Sequence, residues 1–192
     1  MPAIIDHDQR RNELARAALE LAAHHGLEGV TIRRVATATG YSPGTVQHYF
    51  PTRADLIGRT LELLGSKQRE QFLSVDQTLE PRALILAVVR AYMPTNAEER
   101  TIAGGGAAFY LASLYDEALR RQVSLGPAAL ISVITRILEG AARDGALAEG
   151  VEPSHEASIL WGFFDPSPVL AGYRTAEETL ATVEYYLDRI FS

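Results

Sequence analysis

Apolar residues recur at helical spacing along nearly the whole chain, and no run alternates in the way a half-buried strand would. Leu14, Ala18, Leu21 and Ala22 give residues 8–25 one apolar face, and Gly26 follows as a stop. Two shorter patterns occupy residues 31–50. In the first, Thr31 is placed as an N-cap, Ile32, Val35 and Ala36 point inward, and Gly40 can take the left-handed conformation that ends a helix. In the second, Ser42 caps, Pro43 takes the first position, where its missing N–H costs nothing, and Val46 and Phe50 point inward. Neither pattern is long enough to bury its apolar side alone, so the pair must pack on each other and on the first helix. That arrangement is a helix-turn-helix. Its outer side carries Thr45, Gln47, His48 and Tyr49, a flat, hydrogen-bonding set suited to a polar partner.

After Phe50, Thr52 and Asp55 are spaced as a capping box that opens a helix to about residue 75, coupling this head to the rest of the chain. From Pro81 onward the pattern stays helical. Pro81 and Pro94 frame Ala83 to Met93, Gly126-Pro127 interrupts the next long pattern, and Gly145 and Gly150 close another. Residues 128–142 are apolar nearly all round and need cover on two sides. Thr175 and Glu178 form a second capping box, and Leu180, Val183, Leu187 and Ile190 make a seam widened by Tyr185, Tyr186 and Phe191. These two helices are expected to build a four-helix interface with a second subunit. Between them, a helix from Pro153 through Phe164 should break at Asp165-Pro166-Ser167-Pro168 before Val169 resumes an apolar run. The expected fold is all-α: a three-helix head over residues 1–52 and a larger helical body over residues 53–192, with the helix at about 53–75 joining them.

Composition narrows this reading. A chain of 192 residues, 47% hydrophobic, can bury a sizeable core. The absence of cysteine excludes a disulfide scaffold and a thiolate zinc site and fits a reducing cytosol. Asp6 and Asp8 make the start unlike a signal peptide, and no stretch approaches the roughly 18 to 20 apolar residues of a membrane span, so a cytoplasmic protein without membrane association is expected. The net charge of -6 is uneven: residues 1–60 carry 7 Arg against 6 Asp and Glu, while the remainder carries 11 Lys and Arg against 18 Asp and Glu. A near-neutral head can approach phosphates while an acidic body is held away from them.

Other candidate chemistry is weak. Gly104-Gly105-Gly106 has no preceding strand and no following Lys-Ser/Thr, so it is not a phosphate loop; it marks a loop, a close helix crossing or a flexible pocket wall. His7, His24, His25, His48 and His155 have no carboxylate and second histidine at ligand spacing, and no nucleophile signature is present, so neither a metal site nor an enzyme is expected, and no cofactor. Tyr92, Met93, Phe109, Tyr110, Leu114, Trp161, Phe163 and Phe164 pack the body by default. As an alternative role, Tyr92, Met93, Phe109, Tyr110, Leu114, Trp161 and Phe164 are candidates to line a cavity for a small, largely apolar or aromatic molecule, with Tyr110, Trp161 and Phe164 foremost.

The stretch from about Leu14 to Ile57 resembles the tetracycline-repressor (TetR) family of bacterial transcription regulators. The resemblance rests on Ala17-Ala18-Leu19-Glu20-Leu21, Gly26, Thr31-Ile32-Arg33-Arg34-Val35-Ala36, Gly40, Ser42, Gly44-Thr45, Tyr49-Phe50, and Arg53 before Asp55-Leu56. It covers about a quarter of the chain; the remainder is similar to the family only in being all-α with a terminal seam. The resemblance implies a homodimer that binds a palindromic double-stranded DNA operator, with the second short helix in the major groove and an effector pocket in the body. Ligand binding would re-space the heads, whose half-sites lie roughly 34 Å apart, and release the operator, as in a repressor. On that reading Thr31, Arg33, Ser42, Gly44 through its N–H, His48, Tyr49 and Arg53 position phosphates, and Thr45 and Gln47 read bases. Arg34 either joins the phosphate set or is a solvated charge. Pro43 stands where the family usually has a basic residue, and Gln47 where it usually has an aromatic one; Gln47 can bond adenine through two hydrogen bonds. Two alternatives stay open: a regulator of the same fold without a small-molecule effector, and a helical small-molecule-binding protein or enzyme that has lost DNA binding.

Overall fold

The computed structural model describes residues 7–192, so the expectation drawn from Asp6 lies outside the described residues. Helix α1 (His7–His25) ends at Gly26, whose positive φ of 67° is one that a glycine accommodates. Two short helices follow, α2 (Ile32–Thr39) and α3 (Pro43–Tyr49). Thr31 accepts from the Arg34 N–H, Ser42 accepts from the Thr45 N–H, and Pro43 is the first residue of α3. Leu14, Ala18, Val35, Ala36, Val46 and Phe50 close over one another as the core of the head.

The capping box at Thr52 and Asp55 forms in full and starts α4 (Arg53–Leu73). The body continues with α5 (Pro81–Tyr92), α6 (Ala97–Ser113), α7 (Glu117–Val123), α8 (Leu125–Arg143), α9 (Pro153–Trp161), α10 (Ser167–Leu170) and α11 (Ala176–Ile190). The Thr175–Glu178 capping box also forms, and Asn96 with Glu99 makes another at the start of α6. A 3-10 turn over Gly162–Phe164 and an extended residue at Asp165 separate α9 from α10, as the proline pair requires.

The structure revises three expectations and, of the three readings open for the glycine triplet, bears out the close helix crossing. Gly126-Pro127 does not interrupt the helix: Pro127 lies in the first turn of α8, where a proline needs no N–H partner, and the break falls at Ser124. The glycine triplet lies inside α6, where it permits a close crossing with α1. The seam of α11 faces inward. Leu180, Val183, Leu187 and Ile190 are all buried among Leu84, Ile85, Val88 and Leu138 of the same chain, so only the opposite side of α11 is left for a partner. Finally, the helical stretch Glu117–Arg143 is long enough, and at a mean hydropathy of 1.4 apolar enough, to match a membrane span by length and composition. Leu130, Ile134, Leu138 and Ala141 of that stretch are instead buried within the body.

The head does not stand apart from the body. Ala108 of α6 and Leu56 of α4 belong to its core, while Leu19 of α1 joins Leu64, Ile102, Phe109 and Leu119 in a second cluster between α1, α4, α6 and α7. Helix α1 is therefore both the third wall of the head and the main bearing against α6.

Candidate nucleic-acid interface

Helix α3 is held at its N-terminus by Ser42, whose hydroxyl also lies 2.9 Å from the Thr45 hydroxyl. Val46 anchors it from below. This fixes the rotation of the helix and leaves Ser42, Pro43, Gly44, Gln47 and His48 exposed, with Thr45 and Tyr49 half-buried. The first N–H groups of α3 have no partner within the helix by construction, so the Gly44 N–H is directed outward at the positive end of the helix dipole. Thr31, Arg33 and Arg34 border this surface from α2, both arginines being exposed.

Arg53 is engaged within the protein itself. Its Nε donates to the Val30 carbonyl and its Nη2 to the Leu27 carbonyl, both at 2.7 Å, which ties α4 to the turn leading into α2. The Asp55 carboxyl is held below its ordinary range by the Thr52 hydroxyl and N–H, with the Arg11 charge adding to the effect. Sequence reasoning missed a lock on the other side of the turn. The Tyr41 hydroxyl donates to Glu13 at 3.0 Å, Arg10 lies 4.5 Å over the Tyr41 ring, and Arg10 pairs with Glu13 at 3.2 Å. Arg11 lies 5.0 Å over the Phe50 ring, and the His7 ring lies 4.6 Å from that of Tyr49. These contacts join residues far apart in the chain, and helical periodicity carries no signal for them.

In the body, Tyr92 and Phe164 meet edge to face at 5.4 Å, Trp161 stacks on Phe164 at 6.1 Å, and Met93 is buried in the same core. The Tyr92 hydroxyl donates to the Gln68 carbonyl of α4 at 3.2 Å, and burial raises its pKa. The other named candidates lie elsewhere: Phe109 is in the α1–α4–α6–α7 cluster, and Tyr110 and Leu114 are 59% and 47% exposed. The seven candidates therefore do not form one wall. A cleft of about 340 Å³ opens instead between α1, α4 and α6, crossed by the Lys67–Glu98 ion pair at 3.4 Å. Behind the aromatic group, the Tyr186 hydroxyl donates to Glu156, and the Phe163 and Tyr186 rings lie 5.6 Å apart. Burial and this carboxylate together push the Tyr186 phenol far above its usual range. Among the described residues no cluster of three or more metal-ligating side chains occurs.

A head with a capped, outward-facing second helix on an all-helical body can be compared with known proteins. Residues 14–60 match the family model described as bacterial regulatory proteins, tetR family, and residues 81–192 match the C-terminal model of BetI-type transcriptional repressors. The chain belongs to the tetR family. As a tetR-family protein it is a DNA-binding transcriptional regulator and not an enzyme, and its body is of the repressor type. The HTH-type transcriptional regulator PksA of Bacillus subtilis (strain 168) is 31% identical over 99 residues, which is 51% of this chain and 48% of that protein, so this match spans about half the relative's length. The HTH-type transcriptional regulator BetI of Brucella abortus (strain 2308) is 27% identical over 192 residues, covering 97% of this chain and 94% of that one. Among solved structures, a transcriptional regulator from Saccharomonospora viridis in complex with choline superposes with a TM-score of 0.86 at 17% identity, covering 96% of this chain and 99% of that one. A TetR transcriptional regulator from Chloroflexus aurantiacus J-10-FL gives 0.82 at 17% identity, covering 96% and 98%. At these identities the two structures share the fold with this tetR-family chain.

Proposed function

We propose that this protein is a homodimeric repressor that binds a palindromic operator in the cytoplasm and is released from it by a small molecule. The observation that carries the reading is α3: capped by Ser42, anchored by Val46, and presenting Gln47 and His48 to solvent. Thr45 and Gln47 read bases, while Thr31, Arg33, Arg34, Ser42, Pro43, Gly44, His48, Tyr49 and Arg53 frame the phosphate contacts. Residues 1–52 form the reading head and residues 53–192 the effector-binding and dimerising body, with α4 belonging mechanically to both.

The effector site is assigned to Tyr92, Met93, Trp161 and Phe164, since these are the candidates that share one core. The rings pack against one another, so an effector must part them. Aromatic faces suit an apolar or aromatic molecule, and they also suit a quaternary ammonium ion through cation–π attraction. The choline bound by the Saccharomonospora viridis regulator supports including that class. Operator selection from genomic DNA, followed by gel shifts with and without apolar, aromatic and quaternary ammonium compounds, tests the reading. Salt-sensitive binding that a compound abolishes supports it, and no retained DNA at low salt overturns it.

A further inference from the structure

The face of α3 carries neither lysine nor arginine, although a helix laid in the major groove lies between two phosphate rows. At the C-terminal end of α3 the structure supplies something in their place. The His7 ring of α1 lies 5.9 Å from the His48 ring and 4.6 Å from the Tyr49 ring, and His48 and Tyr49 meet edge to face at 5.3 Å. His7 and His48 are both exposed. We propose that His7 and His48 together grip one DNA phosphate beside the recognition helix, so that operator affinity rises as the pH falls through the range where imidazoles titrate.

The argument is electrostatic. An imidazole ordinarily titrates near pH 6.5, within reach of cellular pH. Two protonated rings at this separation repel each other in the free protein, and an anion seated between them replaces that repulsion with two charge-assisted hydrogen bonds. Binding therefore takes up protons. Tyr49 supplies a flat support for His7 and a hydroxyl for the same phosphate row. The charged groups on the elements packed here are Asp8 and Arg11 of α1 and, past the Phe50 ring that Arg11 covers, Asp55 of α4. Asp55 is engaged by Thr52, and Arg11 adds a fixed positive charge one helical turn from His7. The inference extends the DNA-binding reading to a residue outside the helix-turn-helix and rests on it.

The test uses the full chain and the operator recovered by genomic selection, with Kd measured by fluorescence anisotropy at pH 6 and pH 8 and one fixed ionic strength. The wild type is expected to bind about tenfold more tightly at pH 6 than at pH 8, since each proton taken up contributes to the pH dependence. His7→Phe keeps a ring against Tyr49 but cannot be protonated, and is expected to cut that ratio to about threefold, the share left to His48. His7→Arg carries a permanent charge and is expected to bind more tightly than the wild type at pH 8, with only the roughly threefold pH dependence of His48 remaining. His7→Phe retaining the full wild-type pH dependence would overturn the proposal while leaving the DNA-binding reading intact. Failure of the wild type to retain any genomic DNA would overturn both.

Discussion

A β-carbon placed on Gly105 of α6 would lie 2.3 Å from Cδ1 of Leu19 on α1, so the Leu19 side chain packs directly on the α6 backbone in the space a larger residue would fill. The triplet's neighbours differ: a β-carbon on Gly104 would meet Ala23 at 3.2 Å, while one on Gly106 would have only the Gln68 amide at 3.7 Å. The crossing brings the body's α6 against the helix that walls the reading head.

Alanine is therefore expected to act oppositely at adjacent positions of α6. Gly106→Ala gains helix propensity of about 1 kcal/mol without a clash, raising Tm by about 2–4 °C. Gly105→Ala gains the same propensity but overpacks buried Leu19, a cost of about 1–3 kcal/mol, and is expected to be neutral or destabilising. Parallel thermal melts decide the matter; equal stabilisation by both substitutions would show that α1 and α6 are not in close contact.

Arg53 is expected to matter to the fold before it matters to DNA. Replacing it with methionine removes the bonds to the Val30 and Leu27 carbonyls and should destabilise the free protein by about 1–2 kcal/mol. Thermal denaturation without DNA checks this. An unchanged Tm together with weaker operator binding would assign Arg53 to phosphate alone.

Alkaline pH probes the contact between α9 and α11. Burial and Glu156 raise the Tyr186 phenol, so on raising the pH the unfolded chain loses this proton before the folded one does. The stabilisation is fully present below the ordinary tyrosine pKa of about 10 and declines as the pH rises above it. Stability of the wild type is expected to fall above pH 10 more steeply than that of Tyr186→Phe, as read by urea melts at pH 8 to 11. Superimposable profiles would count against the assignment.

Most of the head was legible in the chain because its signals are local: a cap at Thr31, a cap and proline at Ser42-Pro43, a glycine at 40 with φ of 72°, and the Thr52–Asp55 box. The clamps that orient it were not. Arg53 on Val30, Tyr41 on Glu13 and Arg11 on Phe50 depend on tertiary approach, and each of these residues is equally suited to a solvated face. Periodicity also found the seam of α11 without telling whose core it enters. Leu180 and Val183 would read the same against a second subunit as against Leu84 and Val88 of their own chain. The body candidates divide for a related reason: Tyr110 and Phe109 are consecutive in α6, so one is exposed while the other is buried.

The buried seam directs the dimerisation test to the other face. Ile159 of α9 is 50% exposed and Tyr185 of α11 is 66% exposed, on helices already joined through Tyr186 and Glu156. A charge at either position leaves the chain's own core intact but opposes burial against a second subunit. Ile159→Glu and Tyr185→Glu are expected to shift sedimentation from dimer toward monomer while the circular dichroism spectrum stays helical. Val183→Ala, inside the core, should lower stability by roughly 1 to 3 kcal/mol without changing the association state. Dimers that survive both glutamates would place the interface elsewhere, with the exposed Leu125 at the start of α8 the next surface to test.

Base reading by Gln47 gives the sharpest test of the head. The side chain is exposed at the middle of α3, and its amide can donate to and accept from an adenine edge at once. Gln47→Ala is expected to lower discrimination at one operator position per half-site by about 1–3 kcal/mol, while binding at other positions and the salt dependence stay close to wild type. His48 and Arg33, assigned to phosphates, should behave in the reverse way: their alanine variants weaken all operator variants alike and flatten the salt dependence. Affinities for a panel of single-base operator variants, measured for the three proteins at two salt concentrations, separate the roles. A Gln47→Ala profile parallel to wild type across the panel would remove Gln47 from base reading.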